Sequence, residues 1–295
     1  MRALCLALCA VAMVHVAPAL AEDEPESKRP GLRAGADIFF GLSNIAGPTR
    51  RITDRQWAAI ETFEPSVVYL DWVGHGDNEA RLSIGIGDVY TGSDRSTRQP
   101  VECLWRTPAS SGSLTLGKHY VPFGQQEWEY ETRWGGMLEA DLAGAELALS
   151  LTHNPDTQAV NAMVRLSRQF GGGVEAGLSA AAGRGWSYST SHAVGYCLDV
   201  VAEMGSVTLT GEGLIADGAQ GRYSFGFIKA MSEVKAGWRP YVGAYYGHDE
   251  ADEMGELRSG VAGVEIDVTP NLMIEPGLGR ASGRNVWWLT ARARF

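Results

Sequence analysis

Histidines, some of them with acidic neighbours, are the first candidates for chemistry in this chain. They are His75, His119, His153, His192 and His248, and the nearby acids are Asp77, Asp156, Asp249 and Glu250. Serine–histidine and aspartate–histidine pairs support nucleophilic or general-base hydrolysis. The sequence has no G-x-S-x-G elbow, no H-E-x-x-H helix and no phosphate-binding P-loop. We therefore assign no catalytic residue and predict that the chain is not an enzyme.

Metal and thiol chemistry has two candidates. The run His248-Asp249-Glu250, with Asp252 and Glu253, offers donors for a divalent cation, but it also fits a solvated acidic loop, which we prefer. Cys103 and Cys197 lack the spacing of metal ligands. A single disulfide between them and two separate packed thiols both stay open, and we prefer the thiols. No metal or cofactor is predicted.

The N-terminus reads as a secretory signal. Arg2 precedes an apolar run of small residues over 4–21, which ends in Ala19-Leu20-Ala21 and is followed by Glu22-Asp23-Glu24. A charged start, an apolar run and an A-x-A site are typical of a cleaved signal peptide; a retained membrane anchor is the alternative. The predicted division is a signal peptide over 1–21, a periplasmic segment over 22–34 and one barrel over 35–295.

Charge and hydropathy exclude two classes of protein. The formal net charge is −10, and an acidic chain is a poor match for the phosphate backbone of nucleic acids. After the signal there is no run of 18 apolar residues that could span a membrane as a helix. Membrane spanning would therefore require strands.

The last segment alternates with period two. Trp287, Leu289 and Phe295 share one face with Ala291 and Ala293, and Trp288, Thr290, Arg292 and Arg294 share the other. Successive side chains of a strand point to opposite faces, so this segment is apolar on one side and polar on the other. Segments near residues 138, 147, 160 and 174 repeat the pattern, and so does the segment containing Tyr223, Phe225 and Phe227, which we expect on the apolar outer face.

The alternating segments predict an all-β fold: a transmembrane antiparallel up-and-down β-barrel, with 16 strands preferred and 12 or 14 as alternatives. Long connections alternate with short ones, as between the outer loops and periplasmic turns of such barrels. Residues 52–63 read as a short helix in the first long connection. The predicted strands lie near 35–43, 66–73, 80–90, 101–106, 112–120, 133–143, 144–152, 158–170, 171–182, 194–204, 205–215, 221–229, 237–247, 257–268, 271–281 and 284–295.

The alternating last strand that ends in Phe295 resembles the C-terminal strand of Gram-negative outer-membrane proteins. In that class it is the signal read by the barrel assembly machinery, which implies this role for Trp287, Leu289 and Phe295. Gly117-Lys118-His119-Tyr120-Val121-Pro122-Phe123-Gly124 resembles a porin strand that runs into a Val-Pro-Phe-Gly turn. The resemblance implies a channel in the cell outer membrane, surrounded by its lipid, commonly trimeric, that passes small hydrophilic solutes. It also implies that a long loop narrows the pore, and 121–132 and 44–65 are both candidates.

Charged residues on the polar faces are then the predicted pore lining. Their acidic excess predicts a mild preference for cations. An outer-membrane barrel enzyme of the lipase or protease type and a non-conducting structural or adhesive barrel are the alternative functions. The predicted pore-lining residues are Asp71, Arg81, Glu139, Asp141, Glu146, Arg165, Glu175, Arg222, Glu265, Asp267 and Glu275.

Overall fold

The computed structural model describes ten stretches of the chain: residues 30–45, 50–52, 55–56, 63–87, 101–124, 132–154, 158–184, 192–218, 221–249 and 256–295. The predicted signal peptide and most of the acidic run after His248 lie outside these stretches. Within them, no helix has both the length and the apolar character needed to cross a membrane.

Strands make up nearly all of the described chain. They are β1 Gly31–Ser43, β2 Arg50–Ile52, β3 Arg55–Gln56, β4 Phe63–Glu64, β5 Val67–Val73, β6 Glu79–Gly85, β7 Glu102–Ala109, β8 Gly112–Tyr120, β9 Thr132–Leu142, β10 Ala145–Asn154, β11 Ala159–Phe170, β12 Val174–Ala182, β13 His192–Met204, β14 Val207–Gly218, β15 Gly221–Ser232, β16 Trp238–Asp249, β17 Glu256–Thr269, β18 Leu272–Ala281 and β19 Arg284–Arg294. A single 3-10 turn, His75–Asp77, lies between β5 and β6.

β1 and β5 to β19 close into an antiparallel barrel of 16 strands. The first and last strands complete the ring, because β1 pairs with β19 from Asp37 opposite Arg294 to Ser43 opposite Trp288. Closure satisfies the backbone N–H and C=O groups that an open sheet edge would leave unpaired in hydrocarbon. The predicted fold class and strand number are confirmed.

Several local predictions differ from the structure. β1 begins at Gly31 rather than at residue 35. β7 extends to Ala109, since Pro108 and Ala109 still pair with β8, so this strand is longer than the predicted 101–106. The described parts of the segment predicted as a helix over 52–63 are strand residues in β2, β3 and β4.

The two ends of the barrel differ in their connections. Short turns join the strands at the end that carries Phe295, here called the turn end; Ala143 and Gly144, with φ of 55° and 79°, form one of them in the left-handed conformation of tight hairpins. The longer connections, including 44–66, 86–101 and 121–131, leave the opposite end, here called the loop end. This is the predicted alternation of long and short connections.

Alternation along the strands sets the outer and inner surfaces. Leu138, Leu149, Leu151, Leu166 and Leu178 are exposed, and the residues beside them point inward. The outward belt also includes Trp72, Trp105, Trp134, Trp238 and Trp287, the tryptophans expected near strand ends at a lipid–water interface.

The predicted facing of β15 is wrong. Tyr223, Phe225 and Phe227 point inward and are buried, while Ile228 is exposed on the outer face. The error has a physical cause: this strand has apolar residues on both faces, because the lumen beside it is packed with side chains rather than filled with water. Period-two alternation cannot orient such a strand.

Candidate functional site

A segment after β8 turns into the barrel. Val121, Pro122, Phe123 and Gly124 are all buried, and Phe123 is 0% exposed. The Gly124 N–H donates to Ser179 Oγ on β12 at 3.0 Å, so the chain crosses the lumen towards the wall on that side. The described part of 121–132, one of the two predicted constricting loops, therefore folds inward.

The residue types of this inward segment (121–124) suit its path. Val121 and Phe123 pack in the hydrophobic cluster inside the barrel, and the Phe123 N–H donates to the Val121 carbonyl at 3.0 Å. Gly124 has φ of +61°, and a Cβ built there would lie 2.7 Å from the carboxylate carbon of Glu212. The positive φ favours glycine at this position, and an added Cβ would have to displace the end of the Glu212 side chain.

The inward segment covers a packed half of the lumen. Side chains from β11 to β19 form one hydrophobic cluster there, with Cys197, Leu214, Val261 and Trp288 among its members. Aromatic rings pack in pairs within it. The ring centroids of Phe225 and Phe227 are 6.1 Å apart, and those of Phe227 and Tyr245 are 5.7 Å apart. Pairs at these distances add specific ring contacts to the burial of apolar area. This half of the barrel is a core.

The other half of the lumen holds a cavity of about 660 Å³. Charged residues of both signs line it: Arg33, Asp71, Glu79, Arg81, Glu102, Arg106, Glu139 and Arg165. The inward segment contributes Pro122 and Gly124 to the same wall. One half of the barrel interior is thus an open polar cavity and the other half is packed with side chains, with 121–124 between them.

A second cavity, of about 370 Å³, lies against β1, β5 and β19. Its charged lining includes Asp37, Arg292 and Arg294. The two cavities share Arg81, Glu102 and Tyr120 as lining residues, so they adjoin each other around these side chains.

Ion pairs hold the lining side chains against the wall. Arg106 pairs with Glu139, and Arg292 pairs with Asp37. Arg81 Nε lies 3.1 Å from Glu102 Oε2 and 3.5 Å from Asp71 Oδ1. Because these three arginines have carboxylate partners, the cavities carry fixed charges of both signs rather than charges of one sign.

Arg165 stands where the polar half meets the packed half. Its Nη2 lies 2.9 Å from Asp199 Oδ1 and 3.3 Å from Glu175 Oε1. Asp199 is fully buried. Without Arg165 its carboxylate would be an uncompensated charge in the barrel interior, so the ion pair stabilises both side chains in this position.

The predicted pore-lining residues fall into three groups. Asp71, Arg81, Glu139 and Arg165 line the larger cavity. Strand register places Asp141, Glu146, Glu175, Glu265, Asp267 and Glu275 on the inward faces of their strands but outside both cavity linings. Arg222 is the correction: it lies on the outward face of β15, where it pairs with Asp217 at 2.9 Å, and the two side chains are 60% and 57% exposed.

Not every acid on the inward face lines a cavity, because some are buried among other side chains of the barrel interior. Glu275 is 2% exposed and accepts hydrogen bonds from Tyr241 Oη at 2.5 Å and from Trp288 Nε1 at 3.4 Å. Glu265 and Asp267 pair with Arg239 at 3.1 Å and 2.6 Å near the turn end. These acids stabilise the barrel wall.

Sequence reasoning missed several lining residues, among them Arg33, Asp37, Glu79, Glu102 and Arg106. A signal was present for β7: the outward position of Trp105 places Arg106 inward by alternation. Arg33 and Glu79 lie before the predicted starts of β1 and β6, at residues 35 and 80, whereas Asp37 and Glu102 lie inside predicted strands and were not selected.

The remaining candidates for chemistry are separated in the structure. His119 is buried, with Nε2 3.1 Å from Ser150 Oγ and Nδ1 3.0 Å from the Gly117 carbonyl oxygen. Cys103 and Cys197 are both free thiols; Cys197 is buried inside the barrel, and Cys103 faces outward on β7. Among the described residues, no three His, Cys, Asp or Glu side chains are grouped to hold a metal ion.

Comparison with known proteins shows similarity at the level of structure. No protein-family model and no curated protein matches this sequence. The anion-selective porin of Comamonas acidovorans is 11% identical, with a TM-score of 0.66, over 90% of this chain and 99% of the porin. The trimer form of OmpT, an outer membrane protein of Vibrio cholerae, is 10% identical, with a TM-score of 0.65, over 90% and 99%. A mutant of the Rh. blastica porin is 8% identical, with a TM-score of 0.64, over 90% and 100%.

The comparison corrects one prediction. The similar structures include OmpT as well as porins, and OmpT is 9% to 10% identical to this chain. A fold shared at that level does not decide between a channel and an enzyme, so the prediction of a protein without enzymatic activity does not stand. Barrel closure, the exposed apolar belt and the structural similarity agree on the coarser conclusion: this chain has the closed, 16-stranded β-barrel fold of the outer-membrane porins to which it is similar.

Proposed function

We propose that the protein is a channel for passive diffusion of small hydrophilic solutes or ions across the outer membrane. The observation that carries the proposal is the charged cavity left open beside the inward segment. A barrel of about 16 strands is wide enough to enclose water, whereas one of about 8 is filled by its own side chains. Here one half of a wide barrel is filled and the other half is not.

The packed half sets the size of solute. Because the hydrophobic cluster and the inward segment occupy part of the cross-section, the passage is narrower than the barrel itself. The remaining lining consists largely of paired arginines and carboxylates. These side chains form hydrogen bonds with water and with polar solutes, and they interact poorly with apolar ones. We therefore expect sugars and ions of small radius to pass.

Charge supports a mild preference for cations. On the inward faces of the described strands, aspartates and glutamates outnumber arginines and lysines. In the two cavities the signs are nearly balanced. The basic lining residues are Arg33, Arg81, Arg106, Arg165, Arg292 and Arg294, and the acidic ones are Asp37, Asp71, Glu79, Glu102 and Glu139. A near-balanced lining within an acidic barrel gives weak rather than strong selectivity.

The partners follow from the same proposal. Outer-membrane lipid covers the exposed belt, and the assembly machinery reads the outward side of β19, where Trp287 and Leu289 precede Phe295. The trimer form of the similar OmpT structure supports a homotrimer. Native mass spectrometry of the detergent-purified barrel is expected to give three times the mass of the heat-dissociated chain.

Liposome swelling tests the proposal on solutes. Proteoliposomes are diluted into isotonic arabinose, glucose, sucrose or raffinose, with heat-unfolded protein as the control. We expect fast swelling with the smaller sugars and progressively slower swelling with the larger ones. Equal, slow swelling in every sugar, at the rate of the unfolded control, contradicts a diffusion channel.

Reversing the charge of Glu146 is expected to shift ion selectivity. Its register opposite Asp141 places it on the inward face near the turn end. Glu146→Arg should fold normally and move the zero-current potential in a KCl gradient towards anions, because it replaces an attracting charge with a repelling one. Glu146→Gln should give about half of that shift. A folding defect in Glu146→Arg, or an unchanged zero-current potential in both variants, would contradict the lumenal position.

A further inference from the structure

The two cavities in the lumen meet at a shared group of side chains. Arg81, Glu102 and Tyr120 line both of them, so a solute that moves from one cavity to the other passes these residues. Tyr120 is the last residue of β8 and directly precedes the inward segment. The shared residues therefore lie beside the part of the chain that narrows the lumen, and we call them the junction.

Strand register builds the wall of the junction. Gly35 pairs with Tyr69, Tyr69 with Ser83, and Ser83 with Glu102, so β1, β5, β6 and β7 each contribute one inward residue to a single row. Arg81 lies two positions before Ser83 on β6 and points to the same face. Because the backbone ladder holds all of these positions, the wall is a rigid platform for the side chains of the junction.

Arg81 is held by two carboxylates and one aromatic ring. Its Nε lies 3.1 Å from Glu102 Oε2 and 3.5 Å from Asp71 Oδ1. The guanidinium carbon lies 4.9 Å from the centroid of the Tyr69 ring, a distance at which a cation is attracted to the ring face. The Tyr69 ring in turn lies over Gly35, where an added Cβ would collide with it. The guanidinium is therefore fixed in one orientation before any solute arrives.

Glu102 is fixed in a similar way. Its Oε2 accepts a hydrogen bond from Ser83 Oγ at 3.3 Å, and its backbone N–H donates to the same hydroxyl at 3.0 Å. The contacts of the carboxylate with Ser83 and Arg81 both use Oε2, so Oε1 lies beyond them. Likewise, both ion pairs of Arg81 are closest at Nε, and 39% of its side chain is exposed. The junction thus presents N–H donors and a carboxylate acceptor side by side.

Charge at the junction argues against an ionic ligand. The guanidinium of Arg81 is flanked by two carboxylates, those of Asp71 and Glu102. An anion bound at Arg81 would be repelled by both carboxylates, and a cation bound at either carboxylate would be repelled by Arg81. A neutral molecule meets neither repulsion. Hydroxyl groups suit the junction best, because each of them both donates and accepts hydrogen bonds.

We infer that the junction is a binding subsite for neutral sugars, and this inference rests on the proposed channel, whose path it occupies. Of two adjacent hydroxyls on a sugar ring, one accepts from Arg81 and the other donates to Glu102, while the C–H groups of the ring pack against Tyr120. The adjoining cavities, of about 660 and 370 Å³, fall within the usual range of small-molecule sites, about 300–1,000 Å³. Passage of a sugar should therefore saturate as its concentration rises.

The experiment measures how sugars lower the KCl current through folded barrels in a planar bilayer. Glucose, galactose, sucrose and raffinose are the probes, and polyethylene glycols of matching hydrodynamic radius are the controls for simple obstruction. Obstruction lowers the current in proportion to concentration, whereas binding saturates. In parallel, saturation-transfer NMR with the same sugars and the barrel in detergent micelles measures binding without requiring any current.

Two variants change the junction: R81K keeps the positive charge but loses the planar fork of donors, and E102Q keeps the size but loses the carboxylate. The matched control is R222K, the same replacement in an ion pair on the outer face. We expect saturable inhibition by the sugars in the wild type and in R222K alike. R81K and E102Q should bind the sugars about tenfold more weakly, the effect of losing one hydrogen bond to a charged group. Without sugar, R81K should conduct KCl nearly as the wild type does, because the charge is unchanged.

The subsite is wrong if no sugar saturates in either measurement, or if R81K and E102Q, folded by heat-modifiable migration on gels, both bind sugars like the wild type. Tighter binding of glucuronate than of glucose would assign the junction to carboxylates and overturn the proposal as well. The two proposals fail separately. Current steps without saturable sugar binding contradict the subsite alone, whereas saturable binding by NMR without current steps contradicts the channel and leaves the sugar site in place.

Discussion

Replacing Phe123 by alanine is expected to destabilise the barrel by about 3–5 kcal/mol, the usual cost of truncating a fully buried phenylalanine. Phe123 is 0% exposed and packs in the hydrophobic cluster that fills half of the lumen. Without this side chain, the hydrophobic cluster contains a void. The inward segment also loses its main contact with the packed half of the lumen. Conductance should rise as well, because the segment forms one wall of the open cavity.

Phe170→Ala is the matched control for this variant. Phe170 is 52% exposed on the outer face at the turn end of β11. The same truncation there should cost much less and leave conductance unchanged. Urea unfolding in liposomes and single-channel recording measure the two effects. If Phe123→Ala and Phe170→Ala destabilise equally, or if Phe123→Ala leaves conductance at the wild-type value, the inward segment does not form the channel wall.

Placing arginine at Leu149 is expected to destabilise the inserted barrel by about 2–4 kcal/mol, the cost of this side chain near the middle of a membrane. Leu149 is 42% exposed in the middle of β10 and belongs to the outward apolar belt. The adjacent residue, Ala148, lines the larger cavity, so Ala148→Arg adds the same side chain to a polar space next to Glu139.

The pair of variants separates the two faces of one strand. Ala148→Arg should fold into liposomes at nearly the wild-type yield and lower conductance, whereas Leu149→Arg should lose folding yield. Folding yield is measured from heat-modifiable migration on gels. Similar yields for the two variants would mean that the outward belt does not face lipid.

How much of this fold the sequence predicts depends on what each strand faces. β10 has apolar residues on its outward face and mainly polar residues on its inward face, so its alternation alone orients it correctly. In β19 the inward Thr290, Arg292 and Arg294 mark the polar face, although Trp288 beside them packs in the hydrophobic cluster. β15 faces lipid on one side and the packed half of the lumen on the other, and Tyr223, Phe225 and Phe227 were therefore placed on the wrong side. Arg222 was misplaced together with them, for the same reason.

The site is less predictable than the fold because it depends on contacts between distant positions. Gly124 and Ser179, which anchor the inward segment, are separated by 55 positions. Nothing in the local pattern of Val-Pro-Phe-Gly shows which wall it will meet; the resemblance to porins supplied the expectation of an inward loop. Likewise, Arg292 and Asp37 are brought together only by barrel closure, since β1 and β19 are the two ends of the barrel sequence.

Single-channel recording in a planar lipid bilayer tests the central claim most directly. Folded, detergent-purified protein should give discrete, uniform current steps in KCl, because the proposed channel has the cavity beside the inward segment as its aqueous path. The Phe123→Ala variant should give larger steps. A bilayer that holds folded barrels, verified by heat-modifiable migration on gels, and shows no current steps would contradict the account.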